Sequence, residues 1–369
     1  MQQNAARPAA MGRNMTDADN GAHDRGDVQA WYARARAYFD SGVTRDPAFR
    51  RRWLGAFAAA LERHTEPLLA ALREDLGKPR NEAYVTEILN VLTDVQHAVR
   101  HLRRWSRPRR RHVPLGLRPG RARILPQPQG VVAIAGPWNY PVQLLAAPLV
   151  SALAAGNCVC LKPSELTPHV ADAVDALVRD AFPAELVGLF QGGPEIARAV
   201  FGLPVDHIFF TGSTRVGREV MAAAARRPVP VTLELGGKSP CLVCADTNLR
   251  VAARRIAWGK FMNAGQTCVA PDYLLVEEPA AAPLVEELRA AVTAFYGSDP
   301  RRSPDYGRIV NRRHFDRLAA CLEQGTCVIG GGADADSLYI APTVLRDPLP
   351  DAPVMQEEIF GPVLPMMTY

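Results

Sequence analysis

The 369-residue chain is 48% hydrophobic and 22% charged, the composition of a globular protein of two or three domains at roughly 100–200 residues each. Its net charge of +5, from 43 basic and 38 acidic residues, singles out no class of partner. Seven scattered cysteines argue against a disulfide framework and for a reducing, cytoplasmic setting, while no stretch reaches the roughly 18 apolar residues of a membrane span and the start lacks a signal-peptide core.

Residues 1–28 are polar and rich in Ala, Asn, Asp and Gly, which predicts a disordered tail. Two helices are expected next. Asp46-Pro47 has the form of an N-cap followed by Pro at the first helical position, with Leu54, Phe57 and Leu61 at helical spacing and Gly77 as the stop. Ile88, Leu92, Val95 and Val99 form a second apolar stripe. It runs into the Arg-rich segment 100–111. Such a run suits nucleic acid, but Arg also suits the C-terminal end of a helix dipole. A solvated helix end is the reading taken, with no nucleic-acid partner. Residues 108–129 carry Pro108, Pro114, Pro119, Pro126 and Pro128 and read as an extended arm.

From Val131 strands and helices alternate: strands at 131–135, 158–161, 186–190, 208–210 and 229–233, helices at 142–155, 167–180, 194–201 and 214–226. Such βα units imply a parallel sheet covered by helices. A second α/β stretch begins near Cys241 and runs to the end. Cys158-x-Cys160 and Cys241-x-x-Cys244 invite a zinc reading. Both pairs lie in apolar runs that read as buried strands, where free Cys is a small core residue, so no metal site is expected.

Four segments could carry chemistry. Phe210-Thr-Gly-Ser-Thr-Arg-Val-Gly217 follows a strand and opens a helix, a place where small residues admit a pyrophosphate; a plain capped turn fits equally. Leu161-Lys-Pro-Ser-Glu165 ends a strand, where ligands bind parallel sheets; an ordinary polar turn fits too. Cys268, after Asn263-Ala-Gly-Gln-Thr, is a nucleophile or a buried thiol. Glu234, followed by Leu-Gly-Gly-Lys, is a base in a cavity or a satisfied strand-end carboxylate.

Taken together and in order, Pro137-Trp-Asn-Tyr-Pro141, Leu161-Lys-Pro-Ser-Glu165, Phe210-Thr-Gly-Ser-Thr214, Glu234-Leu-Gly-Gly-Lys238, Gly265-Gln-Thr-Cys268 and Glu357-Glu-Ile-Phe-Gly-Pro362 resemble the motif set of the aldehyde dehydrogenase superfamily. Cys268-Val-Ala-Pro-Asp-Tyr273 and Tyr306-Gly-Arg-Ile-Val-Asn311 resemble its class 3 branch, whose members oxidise aromatic and medium-to-long aliphatic aldehydes.

The resemblance implies an α/β architecture: a Rossmann-like NAD-binding domain from 29–107 and 130–233, a bridging or oligomerisation arm at 108–129, and an α/β catalytic domain from 234 to 369. It also implies the roles. Cys268 attacks the aldehyde, Asn139 and the Cys268 N–H hold the oxyanion, and Glu234 activates water. Trp138, Lys162, Glu165, Gly212, Ser213, Gly217, Glu358 and Phe360 contact the cofactor, NAD with NADP admitted, and the partner is a second copy in a homodimer. Family members continue past Glu-Glu-Ile-Phe-Gly-Pro, so the catalytic domain is expected to be incomplete and to leave sheet edge uncovered. An inactive fragment or interaction protein that keeps the motifs stays open as an alternative. Reductive use of an acyl donor is disfavoured, because Glu234 serves hydrolysis.

Overall fold

The computed structural model describes residues 24–369. Most of the expected 1–28 tail lies outside them, but its last part is not a tail. Helix α1 (Arg25–Asp40) is closed by a capping box in which the Asp24 side chain accepts from the Asp27 N–H. It buries Val28, Trp31, Ala35 and Phe39. The polar composition of 24–28 belongs to a cap and first turn.

The Asp46-Pro47 start holds: α2 (Pro47–Arg63) begins with Asp46 accepting from the Ala48 N–H. It ends at His64, and a separate α3 (Thr65–Leu76) reaches the Gly77 stop, φ 59°. Two helices therefore stand where one was expected. After α4 (Arg80–Ala83) and a π-type turn at Tyr84–Leu89, α5 (Asn90–Ser106) runs into the Arg segment. Its buried face is Val91, Val95, Ala98 and Leu102; of the expected stripe Ile88 and Val95 are buried, while Leu92 and Val99 pack at its margin.

The proline-rich stretch forms a hairpin of β1 (Arg109–Arg111) against β2 (Ala122–Ile124), antiparallel and exposed throughout. Beyond it, β3 (Val131–Ala135), α6 (Gln143–Ala155), β4 (Cys158–Lys162), α7 (Pro168–Ala181), β5 (Val187–Leu189), α8 (Pro194–Phe201), β6 (His207–Thr211), α9 (Thr214–Ala225) and β7 (Val231–Glu234) alternate as expected. The five strands are parallel in the order β5-β4-β3-β6-β7. Strands β3 and β4 are buried at every residue, as suits strands covered on both faces. The chain leaves β3 for β4 on one side and returns to β6 on the other, which makes the crevice at their C-terminal ends a switch point where ligands bind.

The second sheet contains β8 (Pro240–Val243), β9 (Tyr273–Val276), β10 (Thr326–Ile329), β13 (Thr343–Arg346) and β14 (Val363–Thr368), in the order β10-β13-β14-β9-β8, and β11 (Ala333–Asp334) pairs with β12 (Tyr339–Ile340) apart from it. All its pairs are parallel except β10 with β13. Helices α10 (Leu249–Phe261) and α11 (Glu278–Tyr296) pack beside it, and β8 is an edge strand with Leu242 62% exposed. Each sheet has its own apolar core. Cys158 and Cys160 are buried in the first, and no metal-type cluster exists among the described residues.

Candidate active site

Strand ends place the site. A single cleft of about 2360 Å³ is lined by Trp138, Asn139, Lys162, Glu165, Gly212, Ser213, Glu234, Cys268, Glu358 and Phe360. Of the expected catalytic and cofactor residues, only Gly217 does not line it. A β-carbon there would meet Leu235 Cδ2 at 2.7 Å, so Gly217 lets α9 pack close to the end of β7.

Three motifs distant in sequence dock on one another through glycines. A β-carbon on Gly236 would lie 1.9 Å from Glu358 Oε2, and one on Gly265 2.3 Å from the Gly361 carbonyl oxygen. Lys238 tightens the same junction by donating to the carbonyls of Val354 (2.8 Å) and Glu357 (3.0 Å) and to the Asp272 carboxylate. Asp272 Oδ1 in turn accepts from the Ile359 N–H at 3.0 Å.

The loop before Cys268 turns through three left-handed residues, Asn263 (φ 54°), Ala264 (φ 51°) and Gly265 (φ 75°). A left-handed Ala is strained by about 1–2 kcal/mol, so neighbours must hold it. The Asn263 N–H donates to Glu82 Oε1 at 2.9 Å. Gln266, fully buried, donates to the carbonyls of Asn263 and Arg308 (both 3.0 Å) and accepts from the Val310 N–H (3.0 Å). Thr267 Oγ1 meets the Tyr140 hydroxyl at 2.7 Å. The half-buried Cys268 thiol is thus presented on a rigid turn. Burial pushes its pKa up, Glu358 and Glu234 push it further, and the N–H groups of Cys268 and Val269 pull it back.

Asn139, 2% exposed, approaches that turn from the end of β3. Its Nδ2 donates to the Gln266 carbonyl at 2.9 Å, which leaves the second amide hydrogen unspent. The two carboxylates differ. Glu234 is exposed at the end of β7. Glu358 is half-buried and pushed up by desolvation, with the Gly237 N–H pulling it down. Its Oε1 is buried without a hydrogen-bond partner among the described residues.

The cofactor-type residues also converge. Lys162 pairs with Glu165 at 2.6 Å at the end of β4. The Gly212 N–H donates to the Glu234 carbonyl at 3.0 Å, and Ser213 caps α9 by accepting from the Val216 N–H. Trp138 packs edge-on against Phe360, centroids 5.3 Å apart, and against His314 at 5.0 Å. Burial, then Arg317 and Arg313, pull His314 down to about 4, so its ring is neutral at pH 7. A capped twelve-residue helix, a Lys–Glu pair at a strand end and a buried carboxylate oxygen with no partner fit a dinucleotide: pyrophosphate, ribose hydroxyls and nicotinamide side in turn.

Lys78, Glu82 and Glu87 support this site and were not singled out from the sequence; Asn263, Gln266 and Asp272 lie inside the quoted motifs but were given no role there. Isolated polar residues in helices and turns give no spacing signal. A lysine directly after a helix-stopping glycine reads as solvated until its burial is seen.

A parallel sheet with a switch-point crevice, and a cysteine on a strained turn sharing that cleft with two carboxylates and an amide, suit a nucleotide-dependent oxidoreductase. Residues 6–369 match the aldehyde dehydrogenase family, and the chain belongs to it. It is 45% identical over 344 residues to 4,4'-diaponeurosporen-aldehyde dehydrogenase of Staphylococcus aureus (strain NCTC 8325 / PS 47), covering 93% of this chain and 75% of that protein. It is 45% identical over 334 residues to the Rattus norvegicus aldehyde dehydrogenase, dimeric NADP-preferring, covering 90% and 74%. In structure it is similar to the substrate-bound state of Staphylococcus aureus AldH, with TM-score 0.90, 43% identity and coverage of 93% and 75%. Class 3 members stand in the same identity range. Its activity is NAD(P)+-dependent aldehyde oxidation.

Proposed function

We propose that the chain converts an aromatic or medium-to-long aliphatic aldehyde to its carboxylic acid, with Cys268 as nucleophile, Asn139 as oxyanion donor and Glu234 as general base. The observation that carries this is the convergence of those three residues with Glu358 on one cleft. Cys268 Sγ, as thiolate, bonds to the carbonyl carbon, and the π electrons move to oxygen. That oxyanion is held by the free hydrogen of Asn139 Nδ2 and by the Cys268 N–H, donors fixed before charge develops. A nicotinamide cofactor held in the cleft would supply the hydride acceptor that turns the Cys268 thiohemiacetal into a thioester. Glu234 takes a proton from water, which attacks the resulting thioester and expels the thiolate with the acid. Trp138, Phe360 and Glu358 position the nicotinamide side, Lys162 and Glu165 the adenosine ribose, and Gly212 and Ser213 the pyrophosphate. Gly217 serves by letting α9 close on β7.

NAD is the expected cofactor, because Glu165 suits two ribose hydroxyls and opposes a 2′-phosphate. Its pairing with Lys162 offsets that charge and admits NADP, and the rat relative is named NADP-preferring. The Staphylococcus relative is named for 4,4'-diaponeurosporen-aldehyde, which supports a long aliphatic substrate. The exposed hairpin of β1 and β2 serves a homodimer, and the rat relative is named dimeric. The nucleotide domain comprises 29–107 and 130–233, and the catalytic domain 234–369. No helix among the described residues is long and apolar enough to cross a membrane. All seven cysteines are free, which suits a reducing cytoplasm. Steady-state assay of benzaldehyde and a medium-chain aliphatic aldehyde with NAD+ and NADP+ tests the reading. Acid formed with both aldehydes and higher kcat/KM for NAD+ is expected. No acid formed would overturn the function, and a strong NADP+ preference would overturn the role of Glu165.

A further inference from the structure

Behind the oxyanion side of the cleft lies an ion pair with no access to water. Lys78 and Glu87 are both 0% exposed, with Nζ 2.6 Å from Oε1. Burying two charges costs about as much as their attraction returns, so such a pair is weak as a stability device and its geometry must be sought elsewhere. The other side-chain hydrogen bonds of the pair fall on one short segment. Lys78 Nζ donates to the main-chain carbonyl of Asn139 at 3.0 Å and stands 4.1 Å from the Tyr140 ring centroid. Glu87 Oε2 accepts from the N–H groups of Val142 (3.1 Å) and Gln143 (2.9 Å), at the start of α6.

The opposite side of that segment is held by the loop of the nucleophile. Asn263 Nδ2 donates to the same Asn139 carbonyl at 2.8 Å, and Asn139 Nδ2 donates to the Gln266 carbonyl, two residues before Cys268. Asn139 is therefore gripped between a buried cation and the turn that presents the thiol. Its carbonyl takes both Lys78 and Asn263, and its amide has one hydrogen fixed and one left over. The direction of the remaining hydrogen depends on the main-chain carbonyl staying where Lys78 holds it.

We propose that Lys78 and Glu87 are a positioning pair for the reaction, acting through Asn139 by fixing the aim of its free amide hydrogen. The proposal rests on Asn139 being the oxyanion donor. It assigns no contact with substrate to either charged residue.

The test uses acylation of Cys268 by p-nitrophenyl acetate in the absence of cofactor, which builds the same oxyanion, together with NAD+ affinity and thermal melting. Lys78→Met/Glu87→Gln removes both charges and leaves none alone in the interior. It is expected to slow acylation about 10- to 100-fold while NAD+ affinity stays within about 2-fold and melting stays cooperative. In the Asn139→Ala background the same pair of substitutions should cost less than about 3-fold more, because residues acting through one group are not additive. If that double variant does not fold, Lys78→Gln/Glu87→Gln, which keeps an N–H for the carbonyl, is read by the same criterion and gives a smaller loss. A folded variant with the parent rate, or one whose full loss persists without the Asn139 amide, overturns the proposal. Asn139→Ala with unchanged acylation overturns the oxyanion reading itself, a separate result, and the positioning role falls with it.

Discussion

Gly236 faces the Glu358 carboxylate at a distance that leaves no room for a methyl group: a β-carbon would sit 1.9 Å from Oε2. The contact joins the segment after Glu234 to the segment before Phe360, so a strand end of the first sheet and a loop of the second share one wall of the cleft. Gly236→Ala should push the flexible end of Glu358 aside. The clash is with the tip of a side chain, so stability should fall by no more than about 1 kcal/mol. Turnover should fall at least about 10-fold, since the Gly237 N–H that holds Glu358 is lost. A thermal melt beside steady-state kinetics separates the two effects. An Ala variant with normal turnover would show that the Glu358 position is immaterial.

The Cys268 thiol sits above its ordinary pKa in the cofactor-free protein, first through burial and then through the negative charges of Glu358 and Glu234. Both carboxylates disfavour a neighbouring thiolate. The rate of iodoacetamide alkylation of Cys268 should therefore still be rising above pH 9. Glu358→Gln should move the profile to lower pH, and by more than Glu234→Gln does. A plateau below pH 8 in the unsubstituted protein would contradict this.

Glu82 accepts from the Asn263 N–H at the left-handed turn, and burial pushes its pKa from 4.5 to about 7, against the pull of Lys78. Folded, it keeps its proton between those values, while the unfolded chain has lost it. Unfolding in that window releases a proton, so this group's contribution to stability declines as pH rises from about 4.5 to about 7 and is flat above. The decline should be on the order of 3 kcal/mol. Urea denaturation from pH 4.5 to 8 should show a component that Glu82→Gln removes. Identical slopes in both proteins would place the Glu82 titration elsewhere.

The fold was legible wherever local pattern and tertiary demand agree. Apolar runs at Val131–Ala135 and Cys158–Lys162, separated by helical stretches, read as buried parallel strands and are so. The misread elements are those that local pattern does not decide. Helix α1 opens on polar residues because its first turn is a cap. The apolar stripe of α5 was read in part: Ile88 and Val95 are buried, but Leu92 and Val99 lie at the margin of a face that Val91, Ala98 and Leu102 complete. The cleft was legible as a set of motifs, yet what holds it was not. Gly236 and Gly265 are ordinary glycines until a partner occupies the missing β-carbon's place. Lys78 and Glu87 look like solvated charges until the chain closes over them.

The last expectation concerns which carboxylate moves the proton in hydrolysis. Glu234 lies exposed at the cleft wall, where water reaches it, while Glu358 is half-buried, has an Oε1 without a partner among the described residues and weighs more heavily on the Cys268 thiol. If Glu234 is the base, Glu234→Gln leaves attack by Cys268 and hydride transfer intact but stalls at the thioester. Rapid mixing of enzyme, NAD+ and aldehyde should then show a stoichiometric burst of NADH, followed by steady-state turnover lowered about 10²–10⁴-fold. Glu358→Gln should instead weaken the burst itself, because the nicotinamide side of the cleft loses its positioning group. Cys268→Ala should abolish both phases while NAD+ still binds, since its expected contacts lie at Lys162, Glu165, Gly212 and Ser213. The reverse pattern, full turnover in Glu234→Gln with a preserved burst and lost turnover in Glu358→Gln, would transfer the base role to Glu358 and leave Cys268 as the nucleophile.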